Sequence, residues 1–377
     1  MMDSFNTKAV HGEKVPGTIK SKITPIYQTS VFTFDSLEDM EAHYNGDGSY
    51  LYTRCGNPNS DELAAVTARL EGAPSGVAAS SGLGAIMAAI LAVAKNGDHI
   101  VAAHDVYGGT FYMLKEELAR MGIQASFVDF EDQAAIQAAI RPETVILYTE
   151  SIANPFLRVE DLNAMSTLAK KNNLVFMVDN TFATPYLVKP FELGADLVVH
   201  SATKYIGGHS DVSAGVVVGK EEYIAEAQKR VINIGLNLSP FESWLACRGA
   251  KTLGLRMERQ SSNAKKVADW LSTQEKVKEV FYPKAVSEKG NGAIVTIHLA
   301  DQADESAFFR SLGWIQIVPS LAGVETSVSW PFGTSHRSLT AEEKAAVGVS
   351  EKTVRISIGI EEAEDIIAQL EGALNKA

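Results

Sequence analysis

Leu197-Val198-Val199-His200-Ser201-Ala202-Thr203-Lys204 decides how the rest of the chain is read. An apolar run gives way within four residues to hydroxyls and a lysine. That is the pattern of a buried strand whose carboxyl end opens onto a ligand site. Working outward, the same pattern recurs. A strand over 174–178 ends in Asp179-Asn180-Thr181. A strand over 99–104 runs into His104-Asp105-Val106-Tyr107-Gly108-Gly109-Thr110, and one over 77–80 into Ser80-Ser81-Gly82-Leu83-Gly84. Apolar runs at 125–130, 144–149 and 215–218 add further strands. Helical stretches lie between them: 85–95 is apolar all round, 112–121 follows Tyr107, and 159–171 carries Leu162, Met165 and Leu168 on one face. Asn59, with Glu62 three residues later, is read as the start of a helix. Short apolar strands alternating with helices predict an α/β fold around a mostly parallel sheet covered on both faces.

Beyond this core the rhythm changes. Residues 1–56 have weak periodicity and many turn residues and are read as an extended arm. Residues 57–240 form the sheet domain. Residues 241–377 form a smaller α+β domain, opened by one long helix over 241–272, with strands at 293–299 and 354–358 and helices near 305–312 and 361–374.

The chain has 377 residues, 46% of them hydrophobic and 21% charged, enough to bury a large core without staples. Its 34 basic and 46 acidic residues leave a net charge of −12, which argues against a nucleic acid or an anionic membrane as partner. The longest apolar run, 85–94, is about half of what a membrane span needs. Two cysteines, Cys55 and Cys247, make no disulfide framework, and no Cys/His spacing suggests a metal. The start lacks a basic stretch followed by an apolar one, so no signal peptide is expected and reducing cytosol is the simplest compartment.

The polar strand ends carry the chemistry. Gly82-x-Gly84 at a helix start leaves backbone N–H groups open to an anion. It is also half of a dinucleotide fingerprint, but Met87 stands where the last Gly or Ala belongs. Lys204 after a buried strand is either a lysine snorkelling off the sheet or an amine of lowered pKa that can attack an aldehyde. Ser201-x-x-Lys204 also imitates a β-lactamase motif, whose partners are missing: Ser210-Asp211 is followed by Val212, and Lys251-Thr252 by Leu253. Asp179 either caps a turn or pairs with a cation such as a pyridinium nitrogen. Tyr107 either packs or stacks on a planar ring. Taken together, these suit a cofactor with a phosphate, a ring, a basic nitrogen and an aldehyde.

The sequence resembles the pyridoxal-phosphate enzymes of cysteine and methionine metabolism, which include cystathionine and methionine lyases and cystathionine synthases. Thr24-Pro25-Ile26-Tyr27-Gln28-Thr29-Ser30, Tyr52-Thr53-Arg54, Asn57-Pro58, Asp105-Val106-Tyr107-Gly108-Gly109-Thr110, Val178-Asp179-Asn180-Thr181-Phe182, His200-Ser201-Ala202-Thr203-Lys204-Tyr205, Gly207-Gly208-His209, Ser320-Leu321-Ala322-Gly323-Val324-Glu325 and Val354-Arg355 carry the likeness. It implies the fold type I, aspartate-aminotransferase-like architecture and pyridoxal 5'-phosphate as cofactor. By this resemblance Lys204 holds the cofactor aldehyde and then moves protons between substrate carbons, and Asp179 keeps the ring nitrogen protonated. Gly82, Leu83, Ser201 and Thr203 bind the phosphate, reached by Tyr52 and Arg54 of a neighbouring subunit. Tyr107 stacks on the ring and helps with proton transfer as a catalytic residue. Arg355 clamps the substrate carboxylate, assisted by Asn154 and Ser320. A homotetramer built from two active dimers, acting on a small sulfur amino acid, is implied as well.

Departures narrow the substrate. Many cystathionine-handling relatives carry Arg where Tyr112 stands, and Glu where Pro319 precedes Ser320; both changes favour a less polar substrate tail. Gly109 occupies the position of the cysteine in methionine γ-lyases, and Glu150-Ser151-Ile152-Ala153-Asn154-Pro155 replaces the commoner Glu-Thr-Pro-Thr-Asn-Pro. The expected activity is α,γ-elimination to 2-oxobutanoate, ammonia and a thiol. The alternatives are γ-replacement by a synthase or sulfhydrylase, or cystathionine β-lysis. A nucleotide-dependent oxidoreductase and a catalytically silent scaffold are the competing classes. Cys55, beside Arg54, has no reading beyond packing.

Overall fold

The computed structural model describes residues 4–11, 21–46, 48–335, 337 and 340–377. The rest of the predicted arm, 1–3, 12–20 and 47, lies outside the described residues.

Seven strands form the large sheet: β1 (Ser75–Ala79), β2 (His99–Ala103), β3 (Gln124–Val128), β4 (Thr144–Glu150), β5 (Val175–Asp179), β6 (Leu197–Ser201) and β7 (Gly215–Gly219), in the order β1-β7-β6-β5-β4-β2-β3. From β3 to β6 every pairing is parallel. β7 runs antiparallel to both β6 and β1, so β1 points the same way as β6. The carboxyl ends of β1, β2, β4, β5 and β6 therefore share one edge. β2 and β7 are buried at every position, which is why, apart from His99 bonded to Thr144 and Ser126, their sequences are continuously apolar rather than alternating. Helix Gly82–Val93, rich in Ala and Ile, fits between the sheet and helix Glu221–Ile234.

Helix Pro58–Glu71 is capped by Asn57, whose side chain accepts the Asn59 N–H, so the cap lies two residues before the expected Asn59. The reason is visible: the Asn59 side chain is spent on the arm, accepting Tyr27 N–H at 2.8 Å and donating to the Pro25 carbonyl at 2.9 Å. The arm's first helix, Phe5–Val10, packs on its own chain, with Phe5 edge-on to Tyr186 at 5.2 Å.

The expected single helix over 241–272 is two, Pro240–Ala250 and Leu253–Leu271. Arg256 donates to the Gly249 carbonyl at 2.9 Å and to Thr252 Oγ1 at 3.1 Å, satisfying polar groups at the break. Gly208 (φ +72°) lets the chain turn directly against that guanidinium; a Cβ there would collide with it. The helix expected over 112–121 already starts at Gly108 and winds as a π-turn over Met113–Glu117.

The small sheet comprises β8 (Val277–Phe281), β9 (Ile294–Leu299), β10 (Gln316–Ile317), β11 (Ser327–Ser329) and β12 (Thr353–Ser357), ordered β10-β11-β12-β9-β8. Helices Leu253–Leu271 and Ala363–Lys376 bury their apolar faces with it in a second core around Val295, Ile297, Val354 and Ile356. Thr296 on β9 donates to the Pro155 carbonyl at 2.6 Å, fastening this sheet to the loop after β4. No helix among the described residues is long and apolar enough to cross a membrane.

Candidate active site

A cleft of about 570 Å³ opens where the strand ends of the large sheet meet the small sheet. Its walls contain Gly82, Leu83, Tyr107, Asn154, Asp179, Ser201, Thr203, Lys204, Ser320 and Arg355, all expected from the sequence.

The β1 side supplies an anion cradle. Ser81 caps helix Gly82–Val93 by accepting the Gly84 N–H, which leaves the N–H groups of Gly82 and Leu83 without an acceptor among the described residues. Gly82 must be glycine here: a Cβ would sit 2.7 Å from the Ser201 Cβ. Thr203 already shares its hydroxyl with the backbone of Ala214, accepting N–H at 3.0 Å and facing the carbonyl at 3.2 Å. It can point its single proton at only one partner.

At the ends of β5 and β6, Asp179 Oδ1 accepts from Thr181 N at 2.9 Å and from Thr181 Oγ1 at 2.6 Å. Thr181 in turn accepts the Ser201 N–H at 2.8 Å. Asp179 Oδ2 has no hydrogen-bond partner among the described residues. Burial holds the carboxyl above the ordinary aspartate range, against the pull of Thr181. A protonated ring nitrogen would reverse that cost.

Lys204 follows β6, and its Nζ donates to Ser320 Oγ at 2.8 Å. Burial, helped by the charge of Arg355, lowers its ammonium to about 8. Arg355 lies on β12 and is 4% exposed. It donates from Nη1 to Asn154 Oδ1 at 2.7 Å and from Nη2 to the Ser320 carbonyl at 3.4 Å, while its Nε is buried without a partner. Desolvation pulls even this guanidinium down to about 10. A buried cation with neutral acceptors and a spare donor calls for an anionic ligand.

Three expected residues stand apart. Tyr112 ends helix Gly108–Tyr112, is 49% exposed and does not line the cleft. Tyr52 and Arg54 are exposed and also outside the cleft; Arg54 lies 5.6 Å over the Tyr52 ring and donates to the Ile232 carbonyl at 3.2 Å. Sequence reading assigned no role to Thr181 or Glu150. Asp-x-Thr at a strand end is the spacing of a side-chain-capped turn, which could have revealed Thr181. Glu150 Oε1 accepts the Tyr107 N–H at 2.6 Å.

A phosphate cradle at a helix start, an unpartnered carboxylate oxygen on the cleft-lining Asp179 and a lysine of lowered pKa fit pyridoxal phosphate, and together with the fold they define a cofactor-dependent enzyme of amino-acid chemistry. Comparison with known proteins gives the family. The chain belongs to the Cys/Met metabolism PLP-dependent enzymes, whose family model matches residues 6–375. It is 41% identical to L-methionine gamma-lyase of Porphyromonas gingivalis, covering 100% of this chain and 98% of that one. It is 39% identical to cystathionine beta-lyase of Lactococcus lactis, covering 100% of both. The cystathionine gamma-lyase structure from Lactobacillus plantarum, complexed with L-serine, superposes with a TM-score of 0.92 at 34% identity, covering 99% of each chain. The α/β, fold type I architecture and the cofactor expected from the sequence are thus those of its family.

Proposed function

We propose that this enzyme is a carbon–sulfur lyase that performs α,γ-elimination on a sulfur amino acid with an apolar tail, forming 2-oxobutanoate, ammonia and a thiol. The observation that carries the reading is the pairing of Lys204 with the Arg355–Asn154 clamp in one cleft. Apart from Lys204 and Arg355 no cation is found among the described residues lining it, while Ile152, Phe182 and Leu321 supply apolar wall. That suits a methionine- or homocysteine-like tail better than one ending in a carboxylate.

Bound pyridoxal phosphate supplies an electron sink beside the substrate Cα. The chain does the rest. Gly82, Leu83, Ser201 and Thr203 hold the phosphate, and Asp179 keeps the ring nitrogen protonated. Arg355 binds the α-carboxylate bidentately, in a plane fixed by Asn154. Lys204, with a pKa near 8, is neutral in roughly a tenth of molecules at pH 7, against about one in three thousand for an ordinary lysine. It removes the Cα proton and then a Cβ proton, so that the Cγ–S bond breaks and the sulfur leaves as a thiol carrying a proton. Ser320 holds its Nζ in place.

Tyr52 and Arg54 reach the phosphate of a neighbouring subunit within a tetramer. The exposed Val31, Leu37 and Tyr44 of the same segment support that contact. The arm is 1–56, the cofactor domain 57–240 and the C-terminal domain 241–377, and the compartment is the cytoplasm.

Product analysis with cystathionine, methionine, homocysteine and cysteine tests the activity. 2-Oxobutanoate from at least one γ-thio substrate is expected. Pyruvate alone across the panel would make the enzyme a β-lyase. Turnover only with a thiol and an activated homoserine ester would make it a synthase.

A further inference from the structure

Glu150 is a buried carboxyl that the scheme above leaves unused. It ends β4 and is the register partner of Asp179 on β5. Register partners in a parallel pair leave the sheet on the same face, and both side chains line the cleft. Glu150 is 6% exposed. The charged groups facing it are Asp179 from β5, Asp105 from the loop after β2, and Arg158 from beyond β4. Arg158 is committed elsewhere: it grips Asp105 at 2.7 and 2.9 Å and Glu160 at 3.1 Å. One ring nitrogen can neutralise one carboxylate. A second beside it, in a desolvated cleft, would repel the first strongly.

The Tyr107 end of the contact is equally constrained. Its ring folds over Gly109, where a Cβ would stand 2.5 Å from a ring carbon. Holding the Tyr107 N–H therefore fixes the stretch of backbone from which the ring reaches over Gly109.

We propose that Glu150 is a positioning residue that carries a proton, so the cleft presents one carboxylate rather than two, while its carbonyl oxygen fixes Tyr107 over the cofactor position. This rests on reading the cleft as the pyridoxal phosphate site. Burial and the neighbouring Asp179 both push the Glu150 carboxyl well above its ordinary range, in line with the geometry.

Glu150→Gln keeps an acceptor for Tyr107 and is neutral; Glu150→Ala removes the acceptor. Pyridoxal phosphate affinity is measured on the apoenzymes by equilibrium dialysis. Affinity within about threefold of wild type is expected for E150Q, and about tenfold weaker for E150A. Infrared difference spectra of wild type against E150Q at neutral pH, with and without cofactor, should show the carbonyl stretch of a protonated acid. E150Q impaired as badly as E150A, or no acid band, overturns the proton. E150A binding like wild type overturns the positioning. If E150A does not fold, E150Q and the infrared band decide. If wild type takes up no cofactor, the reading of the cleft fails, while the acid band still tests the proton on Glu150.

Discussion

The cleft has two walls built on different principles. The large-sheet wall is local: Asp179, Thr181, Ser201, Thr203 and Lys204 sit on or just past the ends of neighbouring strands, and their positions follow from strand register. The small-sheet wall is remote: Arg355 meets Asn154 across 201 residues of chain, and Ser320 meets Lys204 across 116. The first wall suits a cofactor that must be held rigidly. The second suits a substrate, because one side chain on one strand can change without disturbing the sheet that carries the cofactor.

Substitutions on the two walls should therefore fail differently. The largest effect is expected for Lys204→Ala, with kcat lower by about a thousandfold or more and an altered visible absorbance of the cofactor-loaded protein. Unchanged turnover and spectrum would remove Lys204 from the chemistry. Arg355→Ala should lower kcat/KM about a hundredfold or more, mostly through KM, with cofactor affinity nearly intact. If cofactor affinity falls as much as substrate affinity, the two walls are not separable.

Smaller effects concern stability. Burying Lys204 costs the apoprotein, so Lys204→Met should stabilise it by about 1–2 kcal/mol at pH 7 in denaturant unfolding. The sign with pH follows from the lowered pKa. Between about 8 and the ordinary lysine value the unfolded chain binds more protons than the folded one. Wild-type stability should therefore rise with pH across that window, and Lys204→Met should lack that component. The smallest is Thr296→Val, which loses one hydrogen bond to the Pro155 carbonyl. It should cost about 1 kcal/mol and raise KM slightly, because that bond seats the small sheet against Asn154.

Much of the cofactor wall was legible because buried parallel strands are continuously apolar, so a polar residue at their ends stands out, as Asp179 and Lys204 do. Arg355 was legible only through the family resemblance, since an arginine on a strand, taken alone, reads as a surface residue. Glu150 was not, since a strand-final glutamate reads the same whether it meets solvent or a backbone N–H. β8, β10 and β11 were missed because they are short or half-exposed and carry no clean alternation. The break at Lys251-Thr252 was hidden because neither residue is a helix breaker, and the group that satisfies the polar atoms there, Arg256, is supplied from the next turn.

The bonds from Arg355 to Asn154 and from Thr296 to Pro155 land on adjacent residues of one loop. For protein engineering this sets the size of the transplantable unit. Exchanging the 150–158 loop alone with a relative would strand its new residues against a foreign β9 and β12, and exchanging the small sheet alone would strand the guanidinium. A chimera meant to acquire another member's selectivity has to carry the loop and both strands together.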